Sequence, residues 1–440
     1  MHIRLTNTFS ALRVRNYRLF ATGQLISLLG GWMQITAQDW LVLQLSGNSP
    51  SALGVVTALQ FSPTLLFTLY GGKLADRFDK RRVLMIANCA YITLATVMGI
   101  LVVSGAVQLW HVFLFAGLWG CVSPFEMPAR QSFVSEMVGR ELLPNALAIN
   151  SAVFNSARVI GPAIGGVVIF LVDTGPAFLV NAASYAGPLF ALSRMVPAEL
   201  HRDGVSLRSA AEARVRDGLR YVWGRADLLV PMTMILITGL LAFNFGLTLP
   251  LLAKNVFHTN SASFGLLSTS LAIGALGGAL AGSVRRKRPS GWLVLGAAIV
   301  FGAVETLTAF APTMPIAIAL LVPTGFTMIF FVQAANQRVQ MGTSAEFRGR
   351  VMGLYTLVFM GTTPIGAPLV GWCATVFGPR SAIWIGSLGS LLAAAVMLTI
   401  ELRRHGVRLR VRRNPVRVYL APRPGYVPPA VDAEPVPQRV

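Results

Sequence analysis

The sequence predicts an all-α membrane protein with twelve transmembrane helices in two six-helix bundles. Three observations predict this fold. Hydrophobic residues make up 54% of the 440 residues and charged residues only 12%, whereas soluble domains average about 25% charged residues. Apolar stretches of about 20 residues recur, and a helix of that length spans the hydrocarbon core of a bilayer. Finally, Lys and Arg concentrate on one side of these stretches.

The charge distribution sets the orientation. If the N-terminus is cytoplasmic, all but three of the 37 Lys and Arg residues fall on cytoplasmic segments or helix ends. Lys254 and Arg380 fall outside, and Arg158 falls inside the membrane. This asymmetry follows the positive-inside rule. We therefore expect a multi-pass protein of the plasma membrane with both termini in the cytoplasm.

The net charge of +20 has a second consequence. A strongly basic chain can bind nucleic acid, but here the charges lie in short loops and a tail beside apolar spans. We therefore expect contact with anionic lipids of the inner leaflet and no nucleic-acid partner.

The individual spans follow from the apolar stretches and the polar links between them. The external links 46–50, 104–108, 173–176, 311–315 and 378–380 are short, which predicts closely packed antiparallel neighbours. The predicted spans are 18–44, 51–75, 83–105, 108–130, 143–172, 176–196, 229–252, 261–284, 291–311, 314–337, 350–377 and 380–402.

Two polar segments complete the domain organisation. Apolar residues recur every three or four positions over 206–223, which predicts an amphipathic helix on the inner membrane surface. The tail is basic and then Pro-rich, so we expect disorder there. The predicted domains are an N-terminal bundle (1–197), a cytoplasmic linker (198–227), a C-terminal bundle (228–404) and a disordered tail (405–440).

The two halves repeat. Spans 5 and 11 both carry Gly-Pro-rich runs, 161–166 and 364–368, and basic loops, 77–82 and 285–288, follow spans 2 and 8. Duplicated six-helix halves are typical of transporters whose halves rock about a central site.

The loop 72–82, Gly-Lys-Leu-Ala-Asp-Arg-Phe-Asp-Lys-Arg-Arg, resembles the signature between helices 2 and 3 of the major facilitator superfamily. Asp79 stands where that signature has Gly, although Asp also tolerates turn geometry. The resemblance covers roughly residues 10–402 and implies the major facilitator fold. In that superfamily the loop acts as a latch that favours the outward-open state.

The resemblance assigns a gating role to several residues. Asp76 sits at a helix end and could pair with Arg77, Arg130 or a helix N-terminus. The alternative is a solvated charge cluster that only enforces topology. The gating candidates are Gly72, Asp76, Arg77, Lys80, Arg81, Arg82 and Arg130.

The run that follows Arg158, with Gly161, Pro162, Gly165 and Gly166, resembles the antiporter signature of helix 5. That signature occurs mainly in exporters, and the chain looks closest to the branch with the enterobactin exporter and macrolide-efflux-like proteins. Helix 4 lacks the Arg that many drug:proton exporters carry in its first half. Pro162 and the small residues could seal the interface between bundles or serve ordinary close packing.

Ionisable groups inside the bilayer are costly and are therefore functional candidates. Asp39 and Glu126 are the candidates for proton coupling. Asp39 could instead lie at the outer interface, and Glu126 could simply pair with Arg130, four residues away in helix 4. Glu305 falls in helix 9, which is peripheral in the superfamily.

The candidates for a substrate cavity are polar residues within the spans. Arg158 could hold an anionic group, or it could be a structural residue satisfied by Asn150, Asn155 or helix carbonyls. The remaining candidates are Gln38, Asn244, Gln333, Asn336 and Gln337.

Motifs for other chemistry are missing from the sequence. It contains no phosphate-binding G-x-x-x-x-G-K-[ST], no catalytic elbow and no zinc spacing, so we expect no enzyme activity, cofactor or metal. We hypothesise proton-driven export of a drug or siderophore-like compound by a monomer. The alternatives are import of a metabolite by symport, coupling to Na⁺, and a non-transporting membrane protein.

Overall fold

The computed structural model describes residues 9–201, 215–285, 287–344, 346–404, 407–413 and 416–422. Within these residues, ten helices are long and apolar enough to cross a membrane. A long first helix and a broken sixth one occupy the two remaining positions predicted from the sequence. The described chain is therefore consistent with twelve spans.

These spans are numbered here in chain order. Spans 1 to 6 are Arg15–Leu45, Pro50–Arg77, Lys80–Val103, Leu109–Gly139, Glu141–Val172, and the pair Thr174–Ser184 and Ala186–Arg194. Spans 7 to 12 are Ala226–Val256, Ser261–Ser283, Gly291–Ala309, Met314–Gly342, Arg348–Phe377 and Ser381–Arg404.

Short local signals set the span boundaries. Ser49, Asn260 and Ser290 each accept a hydrogen bond from a backbone N–H in the first turn of spans 2, 8 and 9, as N-cap residues do. Gly139 has φ 70°, and this left-handed residue separates spans 4 and 5. The predicted boundaries match the structure to within five residues, except that span 4 continues to Gly139 and does not end at residue 130.

Two spans are less regular than the sequence predicts. Span 6 breaks at Tyr185, because Pro188 has no N–H for the carbonyl of Ser184. Span 7 is interrupted after Leu241, resumes as Phe245–Leu251 and ends in the π-helical turn Leu252–Val256.

The tail contains a further difference. The expectation of disorder is wrong for Val407–Arg413 and Val416–Pro422, which form an antiparallel two-stranded sheet. Alternating Val or Leu with Arg has the period of a strand, and this local pattern was overlooked beside the Pro-rich composition. Residues 405–406, 414–415 and 423–440 lie outside the described residues.

The predicted amphipathic helix is only partly described. Val215–Trp223 is helical, and residues 202–214 lie outside the described part of the chain. Tyr221 stacks on Phe347 with ring centroids 4.5 Å apart, so this surface helix contacts the link between spans 10 and 11.

The span ends fall into two groups. We call one the basic end, with links 77–80, 139–141, 194–226, 283–291 and 342–348. We call the other the opposite end, with links 45–50, 103–109, 172–174, 256–261, 309–314 and 377–381.

Two equivalent helix pairs join the bundles: span 2 packs on span 11, and span 5 packs on span 8. A Cβ added to Gly265 of span 8 would lie 2.6 Å from the Pro162 carbonyl oxygen, and one on Gly54 of span 2 would lie 2.7 Å from that of Ala367. Such distances require glycine. We call the two contacts the glycine seal, and both lie toward the opposite end.

The glycine seal yields a first prediction. Gly265→Ala would force spans 5 and 8 apart, and overpacking of this kind costs about 1–3 kcal/mol. We expect the equilibrium to shift toward a state open at the opposite end by roughly 5- to 150-fold. The measurement is thiol labelling of Ser261→Cys, a buried residue at this contact, in a background without the native cysteines.

Gly296→Ala is the matched control, because a Cβ at Gly296 has no neighbour within 4 Å. Equal labelling rates in the Gly265→Ala and Gly296→Ala backgrounds would contradict the role of the seal.

Candidate functional site

A cavity of about 190 Å³ lies inside the N-terminal bundle, in the half nearer the basic end. Ligand pockets for drug-sized molecules measure roughly 300–1,000 Å³, so this cavity accommodates one ring or headgroup in the described state. Its wall comes from spans 1, 3, 4, 5 and 6, and its polar members are Gln24, Ser27, Asn88, Tyr91, Trp119, Glu126, Arg130 and Tyr185.

An ion pair forms part of this wall. Arg130 Nε lies 3.0 Å from Glu126 Oε1, and the side chains are only 21% and 15% exposed. Residues four apart on a helix share one face, which explains the contact. The structure thus pairs Glu126 with Arg130 and also places both at the cavity, so the two interpretations of Glu126 left open by the sequence are compatible.

Aromatic rings surround the pair. The Tyr91 ring centroid lies 4.3 Å from that of Trp119 and 5.1 Å from that of Tyr185. Trp32 meets Phe154 edge-on at 6.0 Å on the other side of the cavity. Sequence reasoning missed both tyrosines.

Polar residues of the cavity were also missed. Gln24 and Asn88 line the cavity from spans 1 and 3. Both are amide side chains inside apolar stretches, the same signal that singled out Gln38 and Asn244. The sequence does not show which of these amides face one cavity, because that depends on the rotation of each helix.

Two other predicted residues are ionisable groups within the spans. Asp39 is 6% exposed, and Arg158 is half-buried. Neither forms an ion pair or hydrogen bond with another residue in the described part of the chain. Helical spacing places Arg158 on the same face of span 5 as Phe154 and Gly161, both of which meet Trp32 of span 1.

The helix-5 motif lies where the two bundles meet. Ser261 Oγ donates to the Gly166 carbonyl at 3.2 Å, and Thr269 Oγ1 donates to that of Val159 at 3.0 Å. On the other face, a Cβ added to Gly161 would lie 2.4 Å from Trp32 Cβ. The motif therefore packs against span 8 and span 1 at once.

An aromatic contact lies beside Asp39. The neighbouring Trp40 stacks on Phe264 of span 8 with ring centroids 6.4 Å apart. Lys254 Nζ of span 7 lies 5.0 Å from the Trp40 ring centroid, within range for a cation–π interaction. We call these three residues the Trp40 cluster; it joins the bundles at the opposite end.

The remaining cavity candidates lie elsewhere. Gln38 donates to Gln60 of span 2, and Asn244 donates to the Leu240 carbonyl beside the interruption in span 7. Gln333 packs against Gly282 of span 8, and Gln337 donates to the carbonyl of the same glycine. Asn336 is half-buried on span 10. These five residues do not converge on one site.

The loop motif is partly described. Asp79 caps span 3 by accepting from the Arg82 backbone N–H, which accounts for Asp at this position. Lys80 Nζ lies 2.5 Å from Glu136 Oε1. Arg81 donates to the carbonyls of Leu192 and Ser193 at the end of span 6. Arg77, at the end of span 2, is exposed, and the surroundings of Gly72 and the side chain of Asp76 lie outside the description.

One further buried carboxyl lies in the C-terminal bundle. Glu305 is 1% exposed, and its Oε2 has no hydrogen-bond partner among the described residues. It does not line the cavity.

The Trp40 cluster yields a second prediction. Lys254→Gln removes the cation, and an exposed or partly buried cation–π contact contributes about 0.5–2 kcal/mol. We expect labelling of Ser261→Cys from the opposite end to rise about 2- to 30-fold.

Lys254→Arg retains the cation and serves as the control, with labelling near that of the parent. Equal labelling of the Gln and Arg variants would show that the Lys254 charge contributes nothing to closure.

Comparison with known proteins assigns this chain to a family. The profile of the family described as transmembrane secretion effectors, within the major facilitator superfamily, matches residues 6–431. The multidrug efflux pump Tap of Mycolicibacterium fortuitum is 29% identical over 83% of this chain and 91% of its own length. The staphyloferrin A transporter of Staphylococcus aureus is 25% identical over 89% and 99%.

A solved structure supports the fold. The nucleoside transporter NupG superposes with a TM-score of 0.71 over 88% of this chain and 99% of its own, at 11% identity. The family whose profile matches this chain consists of transporters and not of enzymes. The chain belongs to the transmembrane secretion effector family and is a multi-pass membrane transporter with the major facilitator fold.

Proposed function

We propose that the protein exports a small organic compound across the plasma membrane by alternating access, driven by inward proton flow. The basic end faces the cytoplasm, in keeping with the positive-inside rule. The observation that carries the proposal is the glycine seal, with its repeat-related contacts at the opposite end. In this orientation the described state is inward-facing, ready to take a solute from the cytoplasm.

The cavity is the proposed entry site for the solute. It presents a carboxylate, a guanidinium and a cluster of aromatic rings, which suits a ring-bearing compound with a polar group. The relatives are named as a multidrug efflux pump and a staphyloferrin A transporter, so we propose a drug or siderophore-like solute. Arg158 lies unpaired on the face of span 5 that includes Phe154, a wall residue of the cavity, and would receive an anionic group of the solute.

Two carboxyls are the proposed groups that couple proton movement to the conformational change. Glu126 loses its attraction to Arg130 when protonated, which frees Arg130 for another partner. Asp39 lies next to Trp40, so separation of the bundles at the Trp40 cluster would open a path to it from outside. Protonation of each carboxyl would thereby favour either the inward-facing or the outward-facing state.

The coupling proposal predicts a loss of gradient dependence. In inverted vesicles with an imposed pH gradient, Glu126→Gln and Asp39→Asn should each reduce gradient-driven uptake of a transported drug or siderophore by tenfold or more. Counterflow without a gradient should persist, because the pathway itself is retained.

Glu305→Gln is the matched control, since this buried carboxyl lies outside the cavity wall. Uptake that survives in both the Asp39 and Glu126 variants would exclude these residues as the proton carriers. Transport in the reverse direction would favour the alternative function, import of a metabolite by symport.

The loop 72–82 is proposed as a latch between the bundles. Lys80 and Arg81 anchor it to the ends of spans 4 and 6, which leaves the preceding helix end to contact the other bundle. We expect Asp76→Asn to slow transport several-fold with unchanged folding, as judged by thermal unfolding.

Asp79→Asn is the control for Asp76→Asn, because Asn is an equally good N-cap. Unchanged turnover in the Asp76→Asn variant would remove the latch.

A further inference from the structure

The hairpin after span 12 has two chemically different faces. Residues opposite one another in an antiparallel pair lie on the same face, and the faces alternate along each strand. One face takes the pairs Arg408↔Ala421, Arg410↔Tyr419 and Arg412↔Arg417. The other takes the pairs Val407↔Pro422, Leu409↔Leu420, Val411↔Val418 and Arg413↔Val416.

The register therefore segregates charge from aliphatic residues. Four of the five arginines in the two strands occupy positions on one face, and the six Val and Leu residues occupy the other. A slip of one residue would mix them.

The hairpin also begins next to the membrane. Span 12 ends at Arg404, and the first strand starts at Val407. Three residues reach at most about 10 Å, so the first strand starts close to the membrane surface at the basic end. Each seven-residue strand extends about 23 Å, a distance that covers several lipid headgroups.

We propose that this hairpin is a binding site for anionic phospholipid headgroups. The guanidinium group matches phosphate oxygens with paired hydrogen bonds, and basic segments beside a membrane span are attracted to anionic lipids. In this proposal the aliphatic positions would be directed to the acyl boundary and the arginine positions to the level of the phosphates. A nucleic acid would complement the arginine positions but would leave the aliphatic face without a partner.

The proposal requires that span 12 crosses the membrane, and it does not depend on the solute or the coupling ion. The test uses the full-length protein in detergent, titrated with phosphatidylglycerol or phosphatidylcholine, with retained lipid counted by native mass spectrometry. The variant is Arg408→Gln, Arg410→Gln, Arg412→Gln and Arg417→Gln combined. Because each basic residue near the surface strengthens binding about fivefold, the preference for phosphatidylglycerol should fall at least tenfold.

Two controls isolate the hairpin. Lys at the same four positions keeps the charge and should keep most of the preference, which should also weaken as salt is raised. Gln at Arg18, Arg220, Lys287 and Arg348 removes four exposed basic residues elsewhere at the basic end. These four residues are spread over separate segments and do not form one cluster, so this variant should lose less of the preference than the hairpin variant.

Three results would overturn the proposal. The first is an unchanged phosphatidylglycerol preference in the hairpin variant, the second an equal loss in the variant with the four other substitutions. The third is retention of an RNA oligonucleotide that depends on the hairpin while the lipid preference does not. Matching thermal unfolding of all variants in lipid-free detergent would establish that the fold is intact.

Discussion

The close approach of helix backbones at the glycine seal is the contact on which the arrangement of the two bundles depends. Lipid offers no hydrophobic driving force for helix association, so packing and hydrogen bonds must hold the helices together. Glycines 54 and 265 allow carbonyl oxygens of the other bundle to approach their Cα atoms. The same contact in both halves explains why the repeat is visible in the sequence.

Charge at membrane depth is the second constraint, because an uncompensated charge in hydrocarbon costs several kcal/mol. The protein meets this cost in different ways. Glu126 and Arg130 neutralise each other within the spans. The two cations at the opposite end are also held, since Lys254 lies over an aromatic ring and Arg380 donates to the carbonyls of Ala309 and Ala311. Asp39 and Arg158 lack such partners among the described residues, which sets them apart.

The two ends of the molecule differ in kind. At the basic end, Arg225 and Arg288 both contact Asp227, and Lys80 contacts Glu136, so charged networks tie each bundle internally. At the opposite end, the described contacts between bundles are glycine packing, aromatic stacking, the cation–π contact of Lys254 and single hydrogen bonds. Contacts without paired charges can separate without leaving a buried ion, which suits an interface that opens and closes.

The sequence by itself determined the approximate span positions and the repeat, because hydrophobic length is a local property of the chain. It also predicts the orientation of the spans, through the charge asymmetry of their links. It further predicted the pairing of Glu126 with Arg130, since the four-residue spacing on a helix is a local property too. Only the tertiary structure decided that Tyr91, Tyr185 and Gln24 share their cavity, while Gln333 packs on Gly282. The rotation of each helix in the bundle sets those contacts, and spacing within one helix does not specify it.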